Sequence, residues 1–216
     1  AFRRAIADRG EKTTGVGICE GYGLTESSGI LCVNIPGNTR LGTVGVAFPS
    51  TDIRIAGENG EALGIDEPGE LLFRGPNAMK GYWRQEEETN ATIDADGWVH
   101  TGDIALMNSE GMLSIVDRKK DMIIVSGFNV YPNEIEDVIV HHPDVVECAV
   151  VGGKGDEGEY VKLFAVKSRD SLTEEELRNW SREKLTAYKV PREVVFVDEL
   201  PKSNVGKILR KELRDQ

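Results

Sequence analysis

The sequence predicts a mixed α/β to α+β chain in two parts, a β-rich portion through Val116 and a small α+β domain over residues 122–216. Three observations carry that expectation. Up to about Val116 the chain is rich in glycine and short extended runs, with turn-forming stretches "GENG", "DEPG" and "DADG" between them. At "DRKKD", Asp117–Asp121, charge crowds together and the pattern changes. Beyond it, helical and strand-like segments follow in the order α, β, β, α, β, α, which suits a small α+β domain.

The elements follow in order. "TDIRIA" (Thr51–Ala56) and "ELLFR" (Glu70–Arg74) read as strands of a meandering β structure with long loops. The "DRKKD" cluster is short and lacks Ser or Pro enrichment, so residues 117–121 read as a compact hinge rather than a floppy linker. Over Asn133–His142, Ile135, Val138 and Ile139 share one face, and Asn133 with Glu136 has the spacing of a capping box after Pro132. "VVECAVV" (Val145–Val151) and "YVKLFAVK" (Tyr160–Lys167) read as strands joined by a glycine-rich loop, "GGKGDEGE". Thr173 and Glu176 form a second capping box, opening a helix through about Leu185, and "EVVFV" (Glu193–Val197) is a further strand. In the last segment Ile208, Leu209 and Leu213 have helical spacing, which puts Lys207 in a first turn. There the macrodipole favours an anion, so something other than helix stability selects this cation. No internal repeat or low-complexity segment interrupts the chain.

Composition bounds the function. A chain of 216 residues can bury a core without staples. Lys and Arg total 26 against 37 Asp and Glu, a net charge of -11, which disfavours nucleic acid as a partner while leaving room for a locally held nucleotide. Cys19, Cys32 and Cys148 are odd in number, widely spaced and outside any CxxC or paired-His pattern, so they read as reduced thiols rather than a disulfide framework or zinc site. No apolar run reaches the roughly 18 to 20 residues of a membrane span, and no signal-like segment opens the chain, so a soluble cytoplasmic protein is expected. The chain begins "AFRR" without methionine, which reads as a piece of something longer.

Four loops hold residue types suited to a nucleotide. In "EGYGLTESSG" (Glu20–Gly29), Gly23 and its neighbouring glycines let backbone N–H groups approach phosphates, Tyr22 offers a face to a base, and Thr25 beside Glu26 can hold Mg²⁺. The same stretch reads equally as a glycine-rich turn with an exposed aromatic. In "GWVHTGD" (Gly97–Asp103), Asp103 can accept from both hydroxyls of a ribose, and an Asx-turn is the competing account. In "DRKKDMIIVSGFNVYP", Arg118 and Lys120 can face a polyanion or simply be solvated. Lys207, after Gly206, can project a compact point charge, and the nearby Lys202, Arg210 and Lys211 equally let it pass as an ordinary surface lysine.

Together, in order, these stretches carry a resemblance. "YGLTE", "GELLFRGPNAMKGYW", "GWVHTGD", "DRKKDMIIVSGFNVYPNEIE" and "PKSNVGK" resemble the later core motifs of the adenylate-forming superfamily of acyl-CoA synthetases, luciferases and peptide-synthetase adenylation domains, over essentially the whole chain. "DRKKDMIIVSGFNVYPNEIEDV" and "ELPKSNVGKILRKELRD" are most similar to bacterial long-chain fatty acid CoA ligases.

The resemblance implies that residues 1–116 are the tail of the large adenylation domain, 117–121 a hinge and 122–216 the small mobile C-terminal domain. It implies activation of a long-chain fatty acid by ATP and Mg²⁺ through an acyl-adenylate, then thioester formation with CoA, in the cytoplasm, and it allows peripheral association with the inner membrane. Tyr22 would stack on adenine, Thr25 hold phosphate, Glu26 ligate Mg²⁺, and Asp103 and Arg118 bind the ribose. Lys207 would bridge carboxylate and phosphate oxygens, Lys120 would be the pivot of a domain rotation between the steps, and Ser126 with Gly127 would border the CoA channel. Ile124 stands where some relatives carry a lysine, and the family's Ser/Thr/Gly-rich phosphate loop has no counterpart in the chain. The expectation is therefore a C-terminal fragment, inactive alone. The rivals are a non-catalytic nucleotide- or CoA-binding module, a ligase for aryl or medium-chain acids, and an acyl-carrier-protein synthetase.

Overall fold

The structure, a computed structural model, describes residues 10–156, 158–204 and 206–214. The chain divides into two compact units, Ala1–Lys119 and Lys120–Gln216.

In the first unit, short apolar runs build two antiparallel sheets. Strands β1 (Gly21–Leu24), β2 (Gly29–Val33) and β3 (Val46–Ala47) form one, in that order. Strands β4 (Asp52–Ala56), β5 (Gly69–Arg74), β6 (Val99–Met107) and β7 (Leu113–Arg118) form a four-stranded meander. Helix α1 (Glu86–Thr92) lies between β5 and β6 in the chain and buries no residue. Leu31, Ile55, Leu71, Phe73, Val99 and Leu113 pack one core across the two sheets. The sheets are also tied by backbone, with Val44 N–H donating to the Leu113 carbonyl at 2.7 Å and Leu113 N–H to that of Gly45 at 2.8 Å.

The second unit opens with a hairpin, β8 (Ile123–Val125) and β9 (Phe128–Val130), where the sequence shows only an apolar run ending at Ser126 and Gly127. Ser126 and Gly127 form its two-residue turn with φ of 51° and 82°, the paired positive values that match the twist of a tight hairpin. Then come α2 (Pro132–Ile139), β10 (Val145–Gly155), β11 (Gly158–Lys167), α3 (Glu174–Arg182), β12 (Glu193–Phe196) and α4 (Arg210–Arg214). Strand β11 pairs antiparallel with β10 and parallel with β12, with α3 in the crossover. Period-two alternation splits the core between the sheet faces. Val150, Leu163 and Ala165 meet Ile135, Ile139 and Leu177, whereas Ala149, Val151 and Phe164 meet Leu200 and Leu213.

Two expectations are corrected here. The stretch "GGKGDEGE" is mostly strand, with β10 and β11 paired as far as Gly155 opposite Gly158. Its glycine at 153 answers to packing rather than flexibility, because a Cβ there would sit 2.4 Å from the Tyr160 ring. The capping box at Asn133 and Glu136 does not form: Tyr131 is the N-cap, with no side-chain cap bond, and Pro132 takes the first helical position, where a missing N–H costs nothing.

The box at Thr173 does form. Glu176 N–H donates to Thr173 Oγ1 at 3.2 Å, and Thr173 N–H donates to Glu176 Oε2 at 2.8 Å. That backbone donor, then Arg169 and the Thr173 hydroxyl, hold the Glu176 carboxyl down to about 2. A carboxyl depressed in the folded state contributes stability above its unfolded value of about 4.3 and loses it as pH falls through the folded one. Urea unfolding should therefore find Thr173→Ala less stable at pH 7 by about 1 kcal/mol. The stability gap between wild type and Glu176→Gln should close as pH falls from about 4.3 to 2. A gap independent of pH would reject the box as the cause.

No helix among the described residues is long and apolar enough to cross a membrane.

Candidate functional site

In the first unit the β1–β2 hairpin carries four of the singled-out residues. The strands pair with an irregularity between Tyr22 and Gly23, and a tight turn over Thr25–Ser27 joins them. Ser27 closes the turn by donating to the Gly29 carbonyl at 2.7 Å and accepting from Leu24 N–H at 3.1 Å. At Gly23 a Cβ would lie 1.9 Å from the Gly29 oxygen, so only glycine lets the hairpin close this tightly.

Tyr22 reaches across the unit and donates its hydroxyl to Asp103 Oδ2. Strand register supplies the third partner. Asp103 on β6 stands opposite Arg118 on β7, and Arg118 Nε meets Asp103 Oδ1 at 2.7 Å. The carboxylate is almost fully buried, whereas the guanidinium is about half exposed. Burial first, then the Asp103 hydrogen bond and charge, drives the Tyr22 phenol far above its ordinary value, so it stays a neutral donor. Thr101 fixes the backbone beneath, accepting from Asp103 N–H at 3.1 Å and donating to the Leu71 carbonyl at 2.8 Å. An aromatic ring, a carboxylate and a guanidinium thus meet from three distant stretches of chain.

Glu26, on the hairpin turn, accepts from the Tyr82 hydroxyl, and its carbonyl accepts from Met79 N–H at 2.8 Å. The hydrogen bond to Glu26 raises the Tyr82 phenol. Thr25 is exposed beside it. Among the described residues no group of three or more His, Cys, Asp or Glu could hold a metal ion. The donors present suit a Mg²⁺ that arrives on phosphates, since such an ion takes one or two carboxylates and completes its shell with phosphate and water oxygens. Glu26 can be that carboxylate.

Sequence reading missed a second buried carboxylate. Glu70, which it took only as a strand residue, accepts from Lys119 Nζ at 2.7 Å and Gly102 N–H at 3.3 Å, and meets His100 Nδ1 at 3.3 Å. Burial pushes its carboxyl up, but Lys119 and His100 together outweigh it and hold it below the usual carboxylate range. The available signal was an acid facing inward in an otherwise apolar strand. Tyr82 in "GYW" was also passed over.

In the second unit Lys120 and Gly127 are exposed, one on the short turn Lys119–Asp121 and the other in the hairpin turn. Lys207 departs from its expected place. It lies not in a first helical turn but in a loop closed by a bridge between Lys202 and Ile208, and α4 starts only at Arg210. Ser203 N–H donates to the Lys207 carbonyl at 2.8 Å, and Lys207 N–H donates to Ser203 Oγ at 3.2 Å. These bonds divert the backbone from the helix that the apolar spacing implied. The ammonium is exposed and has no ion-pair partner among the described residues. Lys120, Gly127 and Lys207 share no hydrogen bond or ion pair among those residues.

Comparison with known proteins bears on these groups. The family described as AMP-binding enzyme matches residues 1–83, and that described as AMP-binding enzyme C-terminal domain matches 134–207. The long-chain-fatty-acid–CoA ligase of Escherichia coli O157:H7 is 53% identical over 99% of this chain, which spans 38% of that protein. The Haemophilus influenzae enzyme of the same name is 49% identical over the whole chain, which spans 39% of it. Among solved structures, ATP-bound MatB from Rhodopseudomonas palustris superposes with a TM-score of 0.89 at 35% identity, over 98% of this chain and 42% of that one. O-succinylbenzoate CoA synthetase (MenE) from Bacillus subtilis, in complex with ATP and magnesium ion, gives 0.84 at 32% identity, over 96% and 43%. Motif order, both family matches and this identity along the chain agree: the chain belongs to the AMP-binding, adenylate-forming enzyme family.

Proposed function

We propose that the full-length protein activates a long-chain fatty acid with ATP and transfers the acyl group to CoA. The observation that carries this reading is the 53% identity, over 99% of the chain, to a long-chain-fatty-acid–CoA ligase. In the first step a carboxylate oxygen attacks the α-phosphorus of ATP, forming the acyl–phosphate bond and releasing pyrophosphate. In the second the CoA thiol attacks the acyl carbon, loses its proton and releases AMP. Tyr22 offers its ring to adenine while Asp103 holds its hydroxyl, and Asp103 with Arg118 takes the ribose hydroxyls. Thr25 and Gly23 lie against phosphate. Mg²⁺ held by Glu26 would neutralise phosphate charge. Lys207 bridges the oxygens on which negative charge builds. Lys120 is the pivot between the two half-reactions, and Gly127 borders the path of CoA. The reading places the protein in the cytoplasm, meeting its lipid substrate at the membrane surface.

The chain spans 38% of the length of the E. coli ligase. ATP–pyrophosphate exchange with a panel of carboxylic acids, run on the 216 residues and on the full-length protein, tests the reading. Exchange in the full-length protein alone, strongest with long acyl chains, is expected. Exchange driven best by aryl acids would overturn the substrate class, and nucleotide binding without exchange would overturn the reaction.

A further inference from the structure

We propose that Arg210 is the positioning residue for Lys207: its guanidinium clamps the base of the lysine loop to the core of the second unit, and adenylate formation depends on that clamp. The inference rests on the reading of Lys207 as the cation of the first step.

Helix α4 has five residues, too few to stand alone in water, and Leu213 is its one buried residue. Arg210 supplies the other anchor from the first position. Its Nε and Nη2 reach Glu136 Oε1 at 3.2 and 2.8 Å, and Nη2 also reaches Glu136 Oε2 at 2.8 Å and Asn133 Oδ1 at 2.7 Å. Nη1 lies 3.4 Å from Asp121 Oδ2, and Arg214 takes the other oxygen of that aspartate. The Arg210, Glu136 and Asp121 side chains are only 18, 14 and 10% exposed, so solvent screens these contacts weakly. Glu136 is held from the sheet as well, its Oε1 accepting Val150 N–H at 2.8 Å. One carboxylate thereby ties α2, β10 and the start of α4 together.

The opposite end of the loop has its own pins, the buried Leu200 and an ion pair of Lys202 with Glu147 at 2.7 Å. Between the two ends Lys207 makes no side-chain ion pair among the described residues, so the fixed ends determine where its ammonium can reach. Only three peptide units separate Lys207 from Arg210, at most about 11 Å of chain. A shift at the clamp is therefore passed directly to the lysine. A lysine in place of Arg210 keeps the charge but loses the planar fork that grips both oxygens of Glu136.

The test uses Arg210→Lys in the full-length protein, with each half-reaction measured separately. Adenylate formation is expected to fall about 10- to 100-fold, as for a small misplacement of a reacting group, with thioester formation from preformed acyl-adenylate within about twofold of wild type. Added to Lys207→Ala, the substitution should slow the first step no further. Equal loss in both half-reactions, or additive losses in the double variant, would overturn the proposal. Amide hydrogen exchange at Ser203, Lys207 and Leu209 reads the clamp without catalysis and should quicken about tenfold in Arg210→Lys, and unchanged protection would also overturn it. Faster exchange in a full-length protein that activates no acid would instead sink the functional reading and leave the clamp standing. If Arg210→Lys does not fold, Glu136→Gln, which keeps the shape and removes the charge, carries the same expectations.

Discussion

Lys207→Ala in the full-length protein should slow adenylate formation by about 100- to 1000-fold, the usual effect of deleting one preorganised group that stabilises transition-state charge. Thioester formation from preformed acyl-adenylate should stay near wild type, because in the proposed reaction the charge assigned to Lys207 arises only while the α-phosphorus is attacked. The structure makes this a clean experiment. The side chain is exposed and lies in no ion pair among the described residues, so its loss should move stability by less than about 0.5 kcal/mol. A fall in rate with an unchanged melting temperature is then a statement about chemistry. Lys207→Arg should recover little, since a planar guanidinium cannot stand in for a compact ammonium bridging two oxygens. Parallel loss in both half-reactions would remove Lys207 from the first step.

The features legible in the sequence were those written in local periodicity. The strand around Ile53–Ile55 alternates, that around Leu71–Phe73 is a short continuous apolar run, and the Thr173–Glu176 box is a contact between residues three apart. Features that depend on distant partners were not legible. Asn133 and Glu136 have the spacing of a cap, yet Pro132 already serves the helix start and both side chains turn to Arg210, more than seventy positions away. In the sequence Arg210 is simply one more cation beside Lys207. Ile208 and Leu209 have helical spacing, but the backbone partners of Ser203 and Pro201 keep them in a loop. At the nucleotide-type cluster, residue types suggested Tyr22 and Asp103 separately. Their meeting spans 81 residues and depends on the packing of one sheet against another, and no local rule encodes that. Resemblance to a family supplied the grouping that periodicity could not.

That grouping leads to the second large effect, at Asp103. Its two oxygens are engaged by Tyr22 and Arg118, so the carboxylate is oriented before any ligand arrives. Asp103→Asn preserves volume and one acceptor but removes the charge. A hydrogen bond to a charged group contributes about 1.5–3 kcal/mol, so kcat/KM for ATP should fall about 10- to 100-fold while the KM for the acid changes little. Stability should fall as well, because Arg118 loses its anionic partner at a nearly buried site. Tyr22→Phe separates the two roles of that neighbour. It deletes the hydroxyl bond to Asp103 and keeps the ring, so ATP use should fall only severalfold if stacking is what Tyr22 contributes, and far more if holding Asp103 in place is the greater part. Initial-rate kinetics with ATP varied at saturating acid and CoA distinguish these outcomes. An Asp103→Asn protein with wild-type kcat/KM for ATP would show that the ribose is held elsewhere, and would leave the Tyr22–Asp103–Arg118 cluster as a purely structural joint between β1, β6 and β7.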